Sequence, residues 1–91
     1  MNIDFKNKVI LVTGSTSGMG RQIAKQLLEN NAKVIINYGH NEHMAKETME
    51  ELSEWKDNIL LIKCDLSNEA EVDEMFNKIS EKYGVLDGLV N

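Results

Sequence analysis

Three glycines, Gly14, Gly18 and Gly20, fall within seven positions of the run Val12 to Ala24 (VTGSTSGMGRQIA), between an apolar stretch and an amphipathic one. The chemistry open to such a run is anion binding. A strand that turns straight into a helix aims several free backbone N–H groups, and the positive end of the helix dipole, at one spot. On this reading Gly14 lets the backbone leave the strand sharply, Gly18 removes a side chain where a phosphate must approach, and Gly20 lets the helix lie close on the sheet. Ser15, Thr16 and Ser17 add hydroxyl donors around the same place. The spacing is G-x-x-x-G-x-G rather than G-x-G-x-x-G, and no Gly-Lys-Ser/Thr follows as a P-loop would require. A structural turn without a ligand is the alternative, and the flanking elements must decide between the two.

Other reactive side chains are few. Cys64 is the only cysteine, so no intramolecular disulfide can form, as suits a reducing compartment, and a buried small apolar residue is its expected role. His40 and His43 are spaced for one helical face. With no second sulfur and no carboxylate geometry to join them, they read as solvated residues at a helix start, and no metal site is expected.

The elements that must position the glycine turn alternate along the chain. Lys8 to Thr13 (KVILVT) is a β-branched apolar strand, and Arg21 to Asn30 places Ile23, Ala24, Leu27 and Leu28 at helical spacing. Asn30-Asn31 supplies a polar stop, because Asn tolerates the left-handed conformation. Lys33 to Asn37 forms a second strand, and from Glu42 a helix buries Ala45, Thr48, Met49 and Leu52, with Trp55 near its end. Ile59 to Cys64 is a third strand. The Ser67 hydroxyl is placed to cap a helix that turns Val72, Met75, Phe76 and Ile79 inward and stops at Gly84. Leu86 to Asn91 begins a fourth strand. The β-α-β-α-β-α-β order predicts right-handed crossovers and a parallel, doubly wound α/β sheet, and nearly continuous apolar strands fit a sheet covered on both faces. A small antiparallel α+β domain would need alternating strands and hairpin turns, which are not found.

Composition bounds the partners. At 91 residues the chain fits one domain with a thin core. Its 42% apolar and 27% charged residues place it among ordinary globular chains rather than disordered or membrane ones. A net charge of −5 argues against nucleic acid or an anionic membrane as partner. The start MNIDFKNK lacks the features of a secretory leader, so a cytoplasmic location is expected.

Within this frame the chain resembles the short-chain dehydrogenase/reductase family, and more narrowly its 3-oxoacyl-(acyl-carrier-protein) reductase group. Thr13 to Gly20 (TGSTSGMG) matches the family's T-G-x-x-x-G-x-G, Cys64-Asp65-Leu66 matches the D-[LV] step after the third strand, and Asp87 to Asn91 (DGLVN) matches the lead into N-N-A-G. Asn37-Tyr38-Gly39 carries the narrower likeness. The resemblance implies a Rossmann-like fold and an NAD(P)-dependent oxidoreductase that moves hydride between nicotinamide and a carbonyl or alcohol. It implies that Gly14 to Gly20 wraps the pyrophosphate and adenosine ribose, with the Met19 backbone toward the nicotinamide. Asp65 would accept from the adenine amino group with Leu66 beside the ring, and Asn91 would contact the adenosine half. For Asp65 a helix-start carboxylate favoured by the dipole is the competing role. Asn37 stands where an acidic residue would hold a ribose 2′-OH, so NADP is favoured slightly over NAD.

The family's Ser, its Tyr-x-x-x-Lys pair and a further Asn lie beyond N-N-A-G. Four residues after Tyr38 is Glu42 and four after Tyr83 is Asp87, so neither tyrosine fits. Residues 1–91 therefore read as the amino-terminal, dinucleotide-binding half of a longer domain, with no catalytic residues and no activity of their own expected. VILV, VII and ILLI are expected to leave apolar side chains uncovered and to drive self-association through the exposed sheet face. A stand-alone nucleotide-binding or sensing module, and a self-associating truncated product, are the competing readings.

Overall fold

Val9, Ile10, Leu11 and Val12 are all buried, and a strand can bury every side chain only when both faces of its sheet are covered. The computed structural model describes residues 3–91 and shows how this is done. β1 (Val9–Val12), β2 (Lys33–Tyr38), β3 (Ile59–Lys63) and β4 (Gly88–Val90) form one sheet in the order β3-β2-β1-β4, and every pairing is parallel. α1 (Gly18–Glu29) and α2 (Glu42–Glu51) link the first three strands, and α3 (Glu69–Tyr83) links β3 to β4.

Side chains alternate between two cores. Ile10, Val12, Val34 and Ile36 pack with Ala24, Leu27 and Leu28 of α1 and with Leu52. Val9, Leu11, Ile35 and Ile62 face the other way, onto Met75 and Ile79 of α3. This corrects the expected exposure of the strand runs: three helices suffice to bury β1 and the apolar body of β2, and in β3 only Leu60 and Leu61 are left half-buried. Besides Ile3, and Met19 and Leu66 at the strand ends, the large exposed apolar groups are Phe76, Val85, Leu86 and Leu89, on and around α3 and β4.

Two boundaries also differ from expectation. α2 ends at Glu51, and Trp55 lies in a separate 3-10 segment, Ser53–Asn58, with non-helical backbone at Trp55 itself. α3 is capped by Asn68, whose side chain accepts from the Glu71 N–H, while the Ser67 side chain turns back and donates to Asp65 at 2.7 Å. The helix stops are as expected: Asn31 has φ 76° and Gly84 φ 73°.

Candidate dinucleotide site

Register brings the loops to one edge. Val12 pairs with Ile36 on one side and Val90 on the other, and Tyr38 pairs with Lys63. The turn after β1, the loop after β2, Asp65 after β3 and Asn91 after β4 therefore all open at the carboxyl ends of the strands. β2 and β3 are laid down on one side of β1 and β4 on the other, so the strand order switches between β1 and β4, and the crevice at such a switch point is where open α/β sheets take ligands.

The glycine turn is built for backbone approach. Gly14 and Gly18 adopt φ of 63° and 47°, a region that side chains disfavour. A Cβ on Gly20 would run into the Gly14 carbonyl oxygen and would lie 2.9 Å from both the Gly14 carbonyl carbon and the Ser15 Cα. Its bareness thus lets the turn itself, more than the sheet, lie against the first turn of α1.

α1 begins without a cap. Ser17 is the N-cap residue but its side chain makes no capping bond, and no acidic residue stands in the first turn. Asn41 and Asn68 cap α2 and α3, and both of those helices carry acids in their first turns. Among the described residues the Ser17, Gly18 and Met19 N–H groups donate to no backbone carbonyl. A helix start left open in this way favours an anion.

The remaining expected residues divide. Ser15 is fully buried, and its hydroxyl donates inward to the Val12 carbonyl at 2.8 Å. Asn37 is 2% exposed and its amide donates to the Cys64 carbonyl at 3.2 Å, tying β2 to the end of β3 instead of facing the edge. Thr16 is buried as well. Met19 and Leu66 are exposed, at 78% and 50%, and present apolar surface along the strand ends. Asp65 holds the Ser67 N–H and Oγ–H through Oδ1, at 2.9 and 2.7 Å. The Ser67 hydroxyl, followed by its amide, keeps the Asp65 carboxyl below the ordinary aspartate range. Asn91 accepts from the Thr13 hydroxyl through Oδ1 at 2.9 Å, which fixes it beside the turn.

Beyond β2, Glu42 accepts from Lys63 Nζ at 2.7 Å and from the Tyr38 hydroxyl at 2.9 Å. Lys63, with Tyr38 second, lowers the Glu42 carboxyl, and burial with Glu42 beside it raises the Tyr38 phenol. Burial likewise raises the Cys64 thiol. No group of three or more His, Cys, Asp or Glu able to hold a metal occurs among the described residues, and no helix there is long and apolar enough to cross a membrane.

A family model described as short chain dehydrogenase matches residues 8–91. The chain belongs to the short-chain dehydrogenase family. It is 39% identical over 87 residues to a 3beta-hydroxysteroid dehydrogenase of Mediterraneibacter gnavus, a match taking in 96% of this chain and 31% of that protein. Glucose dehydrogenase of Caenorhabditis elegans, solved in its apo form, superposes with a TM-score of 0.87 at 32% identity, over 98% of this chain and 38% of that one. A short-chain dehydrogenase/reductase of unknown function from the same organism, solved with cofactor, superposes at 0.84 and 26% identity over 93% of this chain and 32% of its own. This short-chain dehydrogenase chain thus spans about a third of the length of the relatives it matches.

Sequence reading passed over Thr13, Arg21 and Thr48 as residues that shape the site, and Asp87 as the residue that ties β4 to β1 at the opposite, amino end of the strands. Asp87 grips β1, accepting from the Val9 N–H through Oδ2 at 2.8 Å and donating its own N–H to the Val9 carbonyl at 2.7 Å. Only the placing of Thr13 and Asp87 inside matched motifs could have pointed to any of them.

Proposed function

We propose that this chain is the dinucleotide-binding portion of an NAD(P)-dependent oxidoreductase, and that residues 1–91 form the amino-terminal half of its Rossmann-like domain. The observation that carries the reading is the uncapped, acid-free start of α1 at the switch point, with the Ser17, Gly18 and Met19 amides free of backbone acceptors. Those three groups, flanked by the bare backbone of Gly14 and Gly20, would receive the pyrophosphate. Asp65 keeps Oδ2 for the adenine amino group, Leu66 offers an apolar contact to the ring, and Asn91 and Thr13 stand beside the adenosine half. When bound, the nicotinamide supplies hydride chemistry, while these residues hold and orient the dinucleotide.

NADP is proposed over NAD. The segment Asn37–Asn41 carries no carboxylate, and the nearest acid in sequence, Glu42, is engaged by Lys63 and Tyr38. Ser15 and Asn37, expected at the cofactor, act here as internal ties that shape the turn and the end of β2. Fluorescence titration of the chain with NADPH and NADH tests both points. Saturable binding, tighter for NADPH, is the expected result; no binding of either overturns the assignment, and tighter NADH binding overturns the preference.

We further propose that, in the 91-residue chain by itself, a second copy covers the α3 and β4 face. No strand pairs with the outer edge of β4 among the described residues. Leu89, on that strand, is 55% exposed, and Phe76, Val85 and Leu86 add to the same apolar surface. An open strand edge beside apolar side chains is a template for association.

A further inference from the structure

The Thr16 carbonyl belongs to the glycine turn, yet it is held from outside the turn. Arg21 Nη2 donates to it at 2.8 Å and the buried Thr48 hydroxyl, from α2, at 3.3 Å. The other end of the Arg21 fork donates from Nη1 to Glu51 at 3.0 Å and Glu47 at 3.3 Å. The Arg21 side chain is 17% exposed, and its Nε is buried without a partner. An orphaned nitrogen is unfavourable, so the bonds made by the two Nη atoms must outweigh it. An ion pair alone would need no carbonyl.

The consequence lies one bond further on. In a trans peptide the N–H points opposite to the preceding C=O, and no cis peptide occurs among the described residues. Holding the Thr16 carbonyl toward Arg21 and α2 therefore turns the Ser17 N–H away from them, and that N–H has no backbone acceptor. A flipped peptide would instead aim a carbonyl oxygen at the place where an anion is to sit.

We infer that Arg21 and Thr48 are positioning residues: together they lock the Thr16–Ser17 peptide so that the Ser17 amide faces the diphosphate. The ligand in this statement rests on the dinucleotide reading above; the locking of the peptide does not. Neither residue touches the ligand.

The test uses the ligand-free chain first. Residual dipolar couplings report the direction of the Ser17 N–H in wild type, Arg21→Met, Thr48→Val and the double variant, with strand and helix amides as internal reference. The expected result is a changed or averaged Ser17 coupling in the double variant while the reference couplings persist. The near-isosteric Thr48→Val, with a smaller change in the same sense, carries this arm if the double variant does not fold. Affinities for ADP and for adenosine are then compared by titration. ADP binding should weaken about tenfold, the scale of one hydrogen bond to a charged group, with adenosine unchanged, and Arg21→Lys should restore part of the loss because an ammonium can reach the carbonyl but cannot also fork to both glutamates. An unaltered Ser17 coupling in the folded variants, or equal weakening of ADP and adenosine, would overturn the inference. Wild-type chain that binds neither ADP nor NADPH would instead overturn the cofactor reading and leave the couplings to decide the lock.

Discussion

Gly20 shows how a single missing methyl group sets the shape of the turn. The atoms a Cβ would strike belong to the backbone of Gly14 and Ser15, which cannot swing aside as a side chain could. Gly20→Ala should therefore lose about 1–3 kcal/mol of stability in urea unfolding, the usual penalty of overpacking, and should weaken NADPH binding in the same titration. Asp65 gives a second prediction. Its folded-state carboxyl is lowered, first by the Ser67 hydroxyl, so that bond stabilises the fold above the unfolded-state pKa and is lost as pH falls through the folded one. Ser67→Ala should move the Asp65 titration, followed by carboxyl carbon NMR, to higher pH, and the stability gap between variant and wild type should close in acid. The positive φ of Gly14 and Gly18 and the close approach at Gly20 were legible in the sequence because both are tied to the residue type, but that Gly20 packs on the turn rather than on the sheet was not. The directions of the Ser15 and Asn37 side chains were not, since each depends on a chain segment distant in sequence: the Ser15 hydroxyl sits between the Val12 carbonyl and the Asn37 carbonyl of β2, and the Asn37 amide reaches the Cys64 carbonyl just after β3.

Among the elements, α3 separates what local pattern can and cannot tell. The spacing of Val72, Met75, Phe76 and Ile79 announced a helix with one inward face; Met75 and Ile79 are buried and Val72 packs beside them, but Phe76, next to Met75, falls off that face and is exposed. The cap was misplaced by one residue because two polar residues stood in succession, and the local turn in which Asp65 Oδ1 takes both the Ser67 N–H and its hydroxyl leaves Asn68 as the residue that accepts from the helix start. Asn68→Ala should thus destabilise the chain by about 1 kcal/mol, the usual worth of an N-cap side chain, read as a lower urea midpoint with an unchanged slope. The extent of strand exposure was misjudged for a related reason. Apolar runs imply covered faces, but how far three helices reach across four strands depends on crossover geometry that no run of residues encodes by itself. α1 and α2 lie on one face and α3 on the other, so the central pair β1 and β2 receives cover from both.

At the scale of the whole molecule, burial fades toward the β4 edge, and that gradient makes self-association testable at one position. Leu89→Lys places a charge on the open strand, a device that natural edges use against pairing. Sedimentation velocity at micromolar concentration should show wild-type chain as a dimer or larger and the variant shifted toward monomer; a wild-type monomer would remove the proposal. Strand order carries one more consequence. β1 is central, yet its two neighbours arrive at very different times: β2 starts at Lys33, whereas β4 does not start until Gly88. At a ribosome adding about 5–20 residues per second, roughly 3–10 s separate the emergence of the two. Through that interval the nascent first strand keeps one flank unpaired, and the Asp87 grip on Val9 can close that flank only after β4 has emerged.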